Sequence, residues 1–77
     1  MKVFVKYFAS LRERMGRAEQ ELEIDSGFTV RDIWLTVNKD SQITAPVLCA
    51  VNQDYADWET QINDGDEVAF FPPVTGG

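Results

Sequence analysis

The sequence contains no histidine and only one cysteine, Cys49. The chain therefore lacks the commonest general base and the commonest metal ligand. A single cysteine excludes an internal disulfide, and its place in an apolar run predicts a buried thiol that packs in the core. No glycine-rich phosphate loop is present, and Asp64, Asp66 and Glu67 are typical of a solvated turn. We expect no metal site, no permanently bound cofactor and no catalysis by this chain alone.

Basic residues are missing from the second half of the chain. Residues 1–39 hold all seven Lys and Arg and six Asp and Glu, whereas residues 40–77 hold seven acidic residues and no base. Nucleic acid is not an expected partner, because phosphate binding needs a basic surface. The acidic half is consistent with a partner that has a basic surface, and equally with charge that keeps a small protein soluble.

Long apolar runs are also missing. Residues 1–6 are interrupted by Lys2 and Lys6, so they lack the continuous apolar stretch of a signal peptide or membrane span. We expect a cytoplasmic protein with no membrane partner. At 77 residues the chain has room for one small domain that is held together by packing.

The first part of the chain predicts a strand, a short helix and a second strand. Residues 2–8 alternate with period two, which predicts a strand with Phe4 and Phe8 on the face opposite Val3 and Val5. The stretch from Ser10 to Glu13 predicts a helix that Ser10 caps. Residues 18–25 predict a charged strand at a sheet edge.

The second part predicts one long helix and three strands. Thr29 with Asp32 predicts a capped helix start, and apolar residues follow at helical spacing. Residues 46–51 predict a strand buried on both sides or nearly so, residues 55–58 a brief strand, and residues 67–71 a last strand after a turn at Gly65. The predicted fold class is α+β, with a mixed sheet of about five strands, one main helix that crosses it, a short helix and an extended tail.

The chain ends with the sequence PPVTGG, residues 72–77. Proline cannot donate to a sheet ladder, so Pro72 and Pro73 are expected to end the sheet and to extend the chain. We therefore divide the chain into a domain of residues 1–71 and a tail of residues 72–77. Gly76 and Gly77 lack Cβ atoms and fit a narrow channel. The residues alone favour a frayed end with no role.

Three stretches of this chain resemble one family. They are DGDEVAFFPPVTGG (64–77), KVFVKYFASLRERMG (2–16) and AVNQDY (50–55). They are similar to the MoaD/ThiS family of ubiquitin-like sulfur carriers, which includes the small subunits of molybdopterin synthase. The resemblance spans both ends and the middle of the chain, and it implies the ubiquitin-like β-grasp fold.

The resemblance also implies a function and a set of partners. A MoeB-type enzyme would use ATP to adenylate the Gly77 carboxylate, and a sulfur donor protein would convert the adenylate to a thiocarboxylate. The large subunit, MoaE, would receive that sulfur for cyclic pyranopterin monophosphate, in a heterotetramer of two small and two large subunits. A ThiS-like carrier for thiamin thiazole synthesis and a ubiquitin-like protein modifier remain alternatives.

The alternation in the first and last strands predicts an exposed apolar patch. If Val3, Val5 and Phe70 pack under the long helix, the opposite sheet face carries Phe4, Phe8 and Phe71. We predict that this patch binds the partners, unless loops cover the rings. The predicted partner-binding set is Phe4, Phe8, Arg12, Phe71, Pro72, Pro73, Val74 and Thr75, and the predicted reactive end is Gly76 and Gly77.

Overall fold

The computed structural model describes residues 1–73. These residues form seven elements: β1 (Lys2–Tyr7), α1 (Ser10–Met15), β2 (Glu19–Glu23), α2 (Val30–Val37), β3 (Leu48–Val51), β4 (Asp54–Ala56) and β5 (Glu67–Phe71). The predicted roles of Val74, Thr75, Gly76 and Gly77 lie outside the described residues.

The strands form one sheet in the order β2-β1-β5-β3-β4. The central strand β5 runs parallel to β1 and antiparallel to β3, and the remaining pairs are antiparallel. The predicted mixed sheet of about five strands is therefore confirmed. So is the edge position of β2, whose exposed glutamates keep other strands from pairing with it.

The helix α2 begins where the sequence predicts it. The Thr29 side chain accepts a hydrogen bond from the Asp32 backbone N–H, and the Asp32 carboxylate accepts one from the Thr29 backbone N–H. This reciprocal capping box satisfies amide groups that have no partner within the helix. Val30 and Ile33 of α2 are fully buried against the sheet, and Trp34 lies 4.9 Å from Phe70, centroid to centroid.

The core lies between α2 and one face of the sheet. Val3 and Val5 of β1 and Val68 and Phe70 of β5 are completely buried there, as the alternation predicted. The aromatic ring of Phe70 packs against Trp34, Trp58 and Tyr7. The residues that alternate with these in β1 and β5 therefore lie on the opposite face of the sheet.

Two predicted strands have different limits and surroundings. The strand predicted at residues 46–51 begins only at Leu48, and it is not buried on both sides, because Leu48 is 40% exposed on the face opposite α2. The strand predicted at residues 55–58 runs instead from Asp54 to Ala56. It ends there because the Asp57 carboxylate accepts hydrogen bonds from the Glu59 backbone N–H and the Thr60 hydroxyl, which turns the chain.

The predicted cap of α1 is wrong. Ala9, not Ser10, is the N-cap residue, and no side chain caps this helix. Ala9 has φ 54° and ψ −132°, a conformation that residues with a Cβ rarely adopt. The reason is tertiary, because the Phe8 backbone N–H donates to the Phe70 carbonyl and holds the chain to β5 immediately before the helix. Gly16 ends α1 in the left-handed conformation, as predicted.

Within residues 1–73, no helix is long and apolar enough to cross a membrane.

Candidate partner-binding face

No helix formed by residues 1–73 lies on the sheet face opposite α2, and we call this face the outer face. Residues that are Cα partners on neighbouring strands point to the same side, so the registers define its members. They are Lys2, Phe4 and Lys6 of β1 with Phe8 after it, Glu19, Glu21 and Glu23 of β2, Leu48 and Ala50 of β3, Tyr55 of β4, and Glu67, Ala69 and Phe71 of β5. The predicted patch residues Phe4 and Phe8 are 40% and 47% exposed, so no described loop covers them.

One part of the outer face is concave. Ala50 of β3 and Ala69 of β5 are Cα partners and form a shallow floor. Phe8, Tyr55 and Phe71 stand around that floor as walls, and the rings of Tyr55 and Phe71 meet edge to face at 5.7 Å. Together with three polar residues at its edge, these five residues line a cavity of about 380 Å³, which we call the socket. It exists because the two floor residues are small and their neighbours are large.

The rim of the socket is polar. The Lys6 ammonium lies 3.1 Å from the Glu67 carboxylate, and both side chains remain partly exposed. Gln53 completes the rim from the turn between β3 and β4. Such a rim around an apolar centre is the usual anatomy of a protein-binding site.

The turn that carries Gln53 is held firmly against β5. Asn52 and Gln53 have φ values of 51° and 72°, the left-handed pair that a tight two-residue hairpin turn requires. The Asn52 side-chain oxygen accepts from the Glu67 backbone N–H at 3.0 Å, and its amide donates to the Asp66 carboxylate at 3.0 Å. The Asn52 backbone N–H also donates to the Glu67 carbonyl at 2.8 Å. These three bonds fix the position of the rim relative to the floor.

The predicted site residues do not all meet at the socket. Phe8 and Phe71 line it, whereas Phe4 lies beside Glu67 in the adjoining part of the outer face. Arg12 is exposed on α1, three residues beyond Ala9. Pro72 and Pro73 follow β5 directly, and β5 ends at Phe71 as predicted. The chain therefore leaves the sheet at the edge of the socket, and the partner-binding roles of all these residues stay predictions.

Sequence reasoning missed Ala50, Tyr55 and Ala69. Alternation in β5 places Ala69 on the same face as Phe71, which is a usable signal. Nothing local indicates that Ala50 lies opposite Ala69, because that register joins strands that are far apart in the chain. The floor of the socket thus follows from tertiary pairing.

The buried groups that could react are held in their neutral forms. Burial raises the pKa of the Cys49 thiol, and the charge of Asp57 raises it further. The thiol donates a hydrogen bond to the Ala56 carbonyl at 3.1 Å, so it packs as predicted. Burial also raises the pKa of Tyr7 to about 12, although the charge of Arg17 opposes this shift. Among residues 1–73, no group of three or more His, Cys, Asp or Glu is placed to hold a metal ion.

The strand order and the single long helix define a class of fold, the ubiquitin-like β-grasp, as the resemblance predicted. A solved structure from Pyrococcus furiosus, described as molybdopterin converting factor, subunit 1, is 37% identical and covers 96% of this chain and 99% of its own, with a TM-score of 0.85. SAMP1 from Haloferax volcanii, a small archaeal modifier protein, is 26% identical over all of both chains, with a TM-score of 0.80.

Comparison of sequences gives the family. Residues 5–77 match the ThiS family. The molybdopterin synthase sulfur carrier subunit of Escherichia coli K12 is 39% identical and covers 95% of this chain and 96% of its own length. The chain belongs to the ThiS family.

Proposed function

We propose that this protein is a sulfur carrier that acts as the small subunit of molybdopterin synthase. The observation that carries the proposal is its 39% identity, over nearly the whole of both chains, with a molybdopterin synthase sulfur carrier subunit. The family match extends through residue 77, so it includes the Gly-Gly pair on which the chemistry depends.

The proposed chemistry takes place at the Gly77 carboxylate. A carboxylate is a poor electrophile, so one oxygen must first become part of a leaving group. Attack of the carboxylate on ATP forms the acyl-adenylate and releases pyrophosphate. Hydrosulfide supplied by the sulfur donor then adds to the carbonyl and displaces AMP, which leaves a thiocarboxylate. In the large subunit, that sulfur is transferred to cyclic pyranopterin monophosphate, and water restores the carboxylate.

The described residues support a chain that carries the sulfur on its tail and a large subunit that holds the substrate. The chain leaves the sheet beside the socket, so a partner bound on the outer face is next to the base of the tail. The six residues from Pro72 to Gly77 span roughly 20 Å when extended. A tail of that reach, with glycines at its end, is long and narrow enough to enter a deep active site of another subunit. No general base or nucleophile is required on this chain.

The proposed partners are three. A MoeB-like enzyme supplies the ATP-dependent adenylation, a sulfur donor protein supplies the sulfur, and a MoaE-like large subunit supplies the pterin pocket. We propose a heterotetramer of two small and two large subunits. The outer face, with Phe4, Phe8 and Phe71, is the proposed contact for the large subunit and, alternately, for the activating enzyme. Arg12 and the tail residues Pro72, Pro73, Val74 and Thr75 extend that contact.

Mass spectrometry tests the chemistry directly. The purified protein is incubated with its adenylating enzyme, ATP and a sulfur donor. We expect a mass gain equal to the replacement of one oxygen by sulfur, located at the C-terminal peptide. Removal of Gly77 is expected to abolish the gain while the thermal unfolding midpoint stays unchanged. Asp25→Asn, at an exposed residue beyond the end of β2 that does not line the socket, is the control and is expected to gain sulfur normally.

A second candidate function is protein modification, because SAMP1, a small archaeal modifier protein, shares the fold over the whole chain at 26% identity. Isopeptide conjugates between Gly77 and lysines of other proteins would identify a modifier. Sulfur gain without conversion of cyclic pyranopterin monophosphate by the large subunit would instead indicate a carrier for another pathway, such as thiamin thiazole synthesis. Persistence of sulfur transfer after Gly77 is removed would refute the mechanism itself.

A further inference from the structure

We infer that the socket receives one large apolar side chain that projects from the large subunit, and that the small size of Ala69 and Ala50 determines which partner surface fits. This inference rests on the proposed function, because that function supplies the partner. It goes further by naming the anchor point on this chain and the chemistry of the surface that meets it.

The shape of the socket is suited to a single anchor. Its volume of about 380 Å³ is enough to admit one large aromatic or aliphatic side chain. The floor residues Ala50 and Ala69 are only 9% and 7% exposed, so they are already covered at the sides by the larger walls. Binding energy in protein interfaces is concentrated where an aromatic or aliphatic side chain fills such a pocket and is sealed from water. An apolar side chain in the socket would contact Phe8, Tyr55 and Phe71 at once.

The charges around the socket indicate what surrounds that anchor on the partner. The outer face carries four carboxylates, with Glu19, Glu21 and Glu23 in a row along β2. Three of the four lie 3.1–3.7 Å from the Met1, Lys2 and Lys6 ammonium groups, so the face keeps a small excess of negative charge. A partner with basic residues opposite β2 is therefore attracted, and its approach is accelerated. A second copy of this chain is less suitable, because it brings together two protomers of net charge −6.

The floor positions decide the fit through their size. Ala69 lines the socket, and its register with Ala50 places it on the outer face, so a leucine there occupies the space of the anchor without entering the core on the other side of the sheet. The outer face remains apolar in that variant, so a loss of binding reports the loss of the cavity. Truncation of a wall residue, by contrast, removes both contact area and shape.

The test compares Ala69→Leu with Ala18→Leu, the same change at an exposed position beside β2 that does not line the socket. Binding to the purified large subunit of molybdopterin synthase is measured by isothermal titration calorimetry, and stability by thermal unfolding. We expect Ala69→Leu to weaken binding about thirtyfold or more, the loss of one anchor residue, while Ala18→Leu binds as the unaltered protein does. Both variants are expected to stay folded.

Binding of Ala69→Leu with unchanged affinity would overturn the inference, because the socket would then be empty in the complex. If Ala69→Leu does not fold, Ala69→Val and Ala50→Val give the same test with a smaller addition. Sedimentation that shows a dimer of this chain, abolished by Ala69→Leu, would assign the socket to a second copy and overturn the assigned partner. Failure of the unaltered protein to bind the large subunit, with sulfur gain intact, would contradict the proposed function and with it this inference.

Discussion

Phe70 and Phe71 are chemically identical neighbours that face opposite sides of β5, so they separate stability from binding. Phe70 is completely buried and its ring contacts Trp34, Trp58 and Tyr7. Phe71 is half-buried on the outer face, where its ring meets Tyr55. We expect Phe70→Ala to damage the fold and Phe71→Ala to damage partner binding.

The magnitudes follow from burial. Truncation of a buried phenylalanine to alanine costs about 3–5 kcal/mol. A chain of 77 residues has a free energy of unfolding of about 4–12 kcal/mol, at roughly 0.05–0.15 kcal/mol per residue. Phe70→Ala therefore removes a large part of the stability. Phe71→Ala loses partial burial and one edge-to-face contact, which together amount to about 1–3 kcal/mol, less than the loss at Phe70.

Urea unfolding measures the first effect and calorimetric titration with the large subunit the second. Emission of Trp34 and Trp58, which pack on Phe70, reports unfolding, and far-ultraviolet circular dichroism checks it independently. With an m-value of about 1 kcal/mol/M, Phe70→Ala lowers the urea midpoint by roughly 3 M or more. Phe71→Ala is expected to weaken binding about tenfold or more. Equal destabilisation by both variants would refute the assignment of the two faces.

Two further predictions concern strain and pH. Ala9→Gly is expected to stabilise the protein by about 1 kcal/mol, because relief of about 1–3 kcal/mol of backbone strain exceeds the entropy that glycine adds to the unfolded chain, about 0.4–1 kcal/mol. Differential scanning calorimetry should show a higher midpoint, and a lower one would contradict the strain. Burial raises the pKa of Tyr7 from 10.0 to about 12, so the folded state holds this proton more tightly than the unfolded chain does. The free energy of unfolding should therefore fall as pH rises from 10 towards 12, and Tyr7→Phe should remove that part of the fall.

Local patterns predicted the elements whose signals are contained within one segment. The capping box of α2 depends on residues three positions apart, and it forms as expected between Thr29 and Asp32. Alternation in β1 and β5 assigned Val5 and Phe70 to the core and Phe4 and Phe71 to the outer face. These predictions hold because successive side chains of a strand point to opposite faces, whatever the strand pairs with.

Features that depend on contacts between distant segments were not predicted. Ser10 has the right residue type for a cap, but the bond from Phe8 to the Phe70 carbonyl sets where α1 starts. Leu48 was expected to be buried, and it is exposed because none of the elements described for residues 1–73 forms a second layer over the outer face. The socket required the pairing of Ala50 with Ala69, which no local pattern of the sequence contains.

The central position of β5 has a mechanical consequence. β5 is bonded to β1 on one side and to β3 on the other, and the chain continues from its end into Pro72 and Pro73. Hydrogen bonds in both ladders run across the strand, so a pull along β5 from Pro73 loads the two ladders in shear and strains their bonds together. A pull across an edge strand would instead open its bonds one at a time. An enzyme that pulls on the tail therefore pulls on β5, the strand that is most resistant to force along its own length.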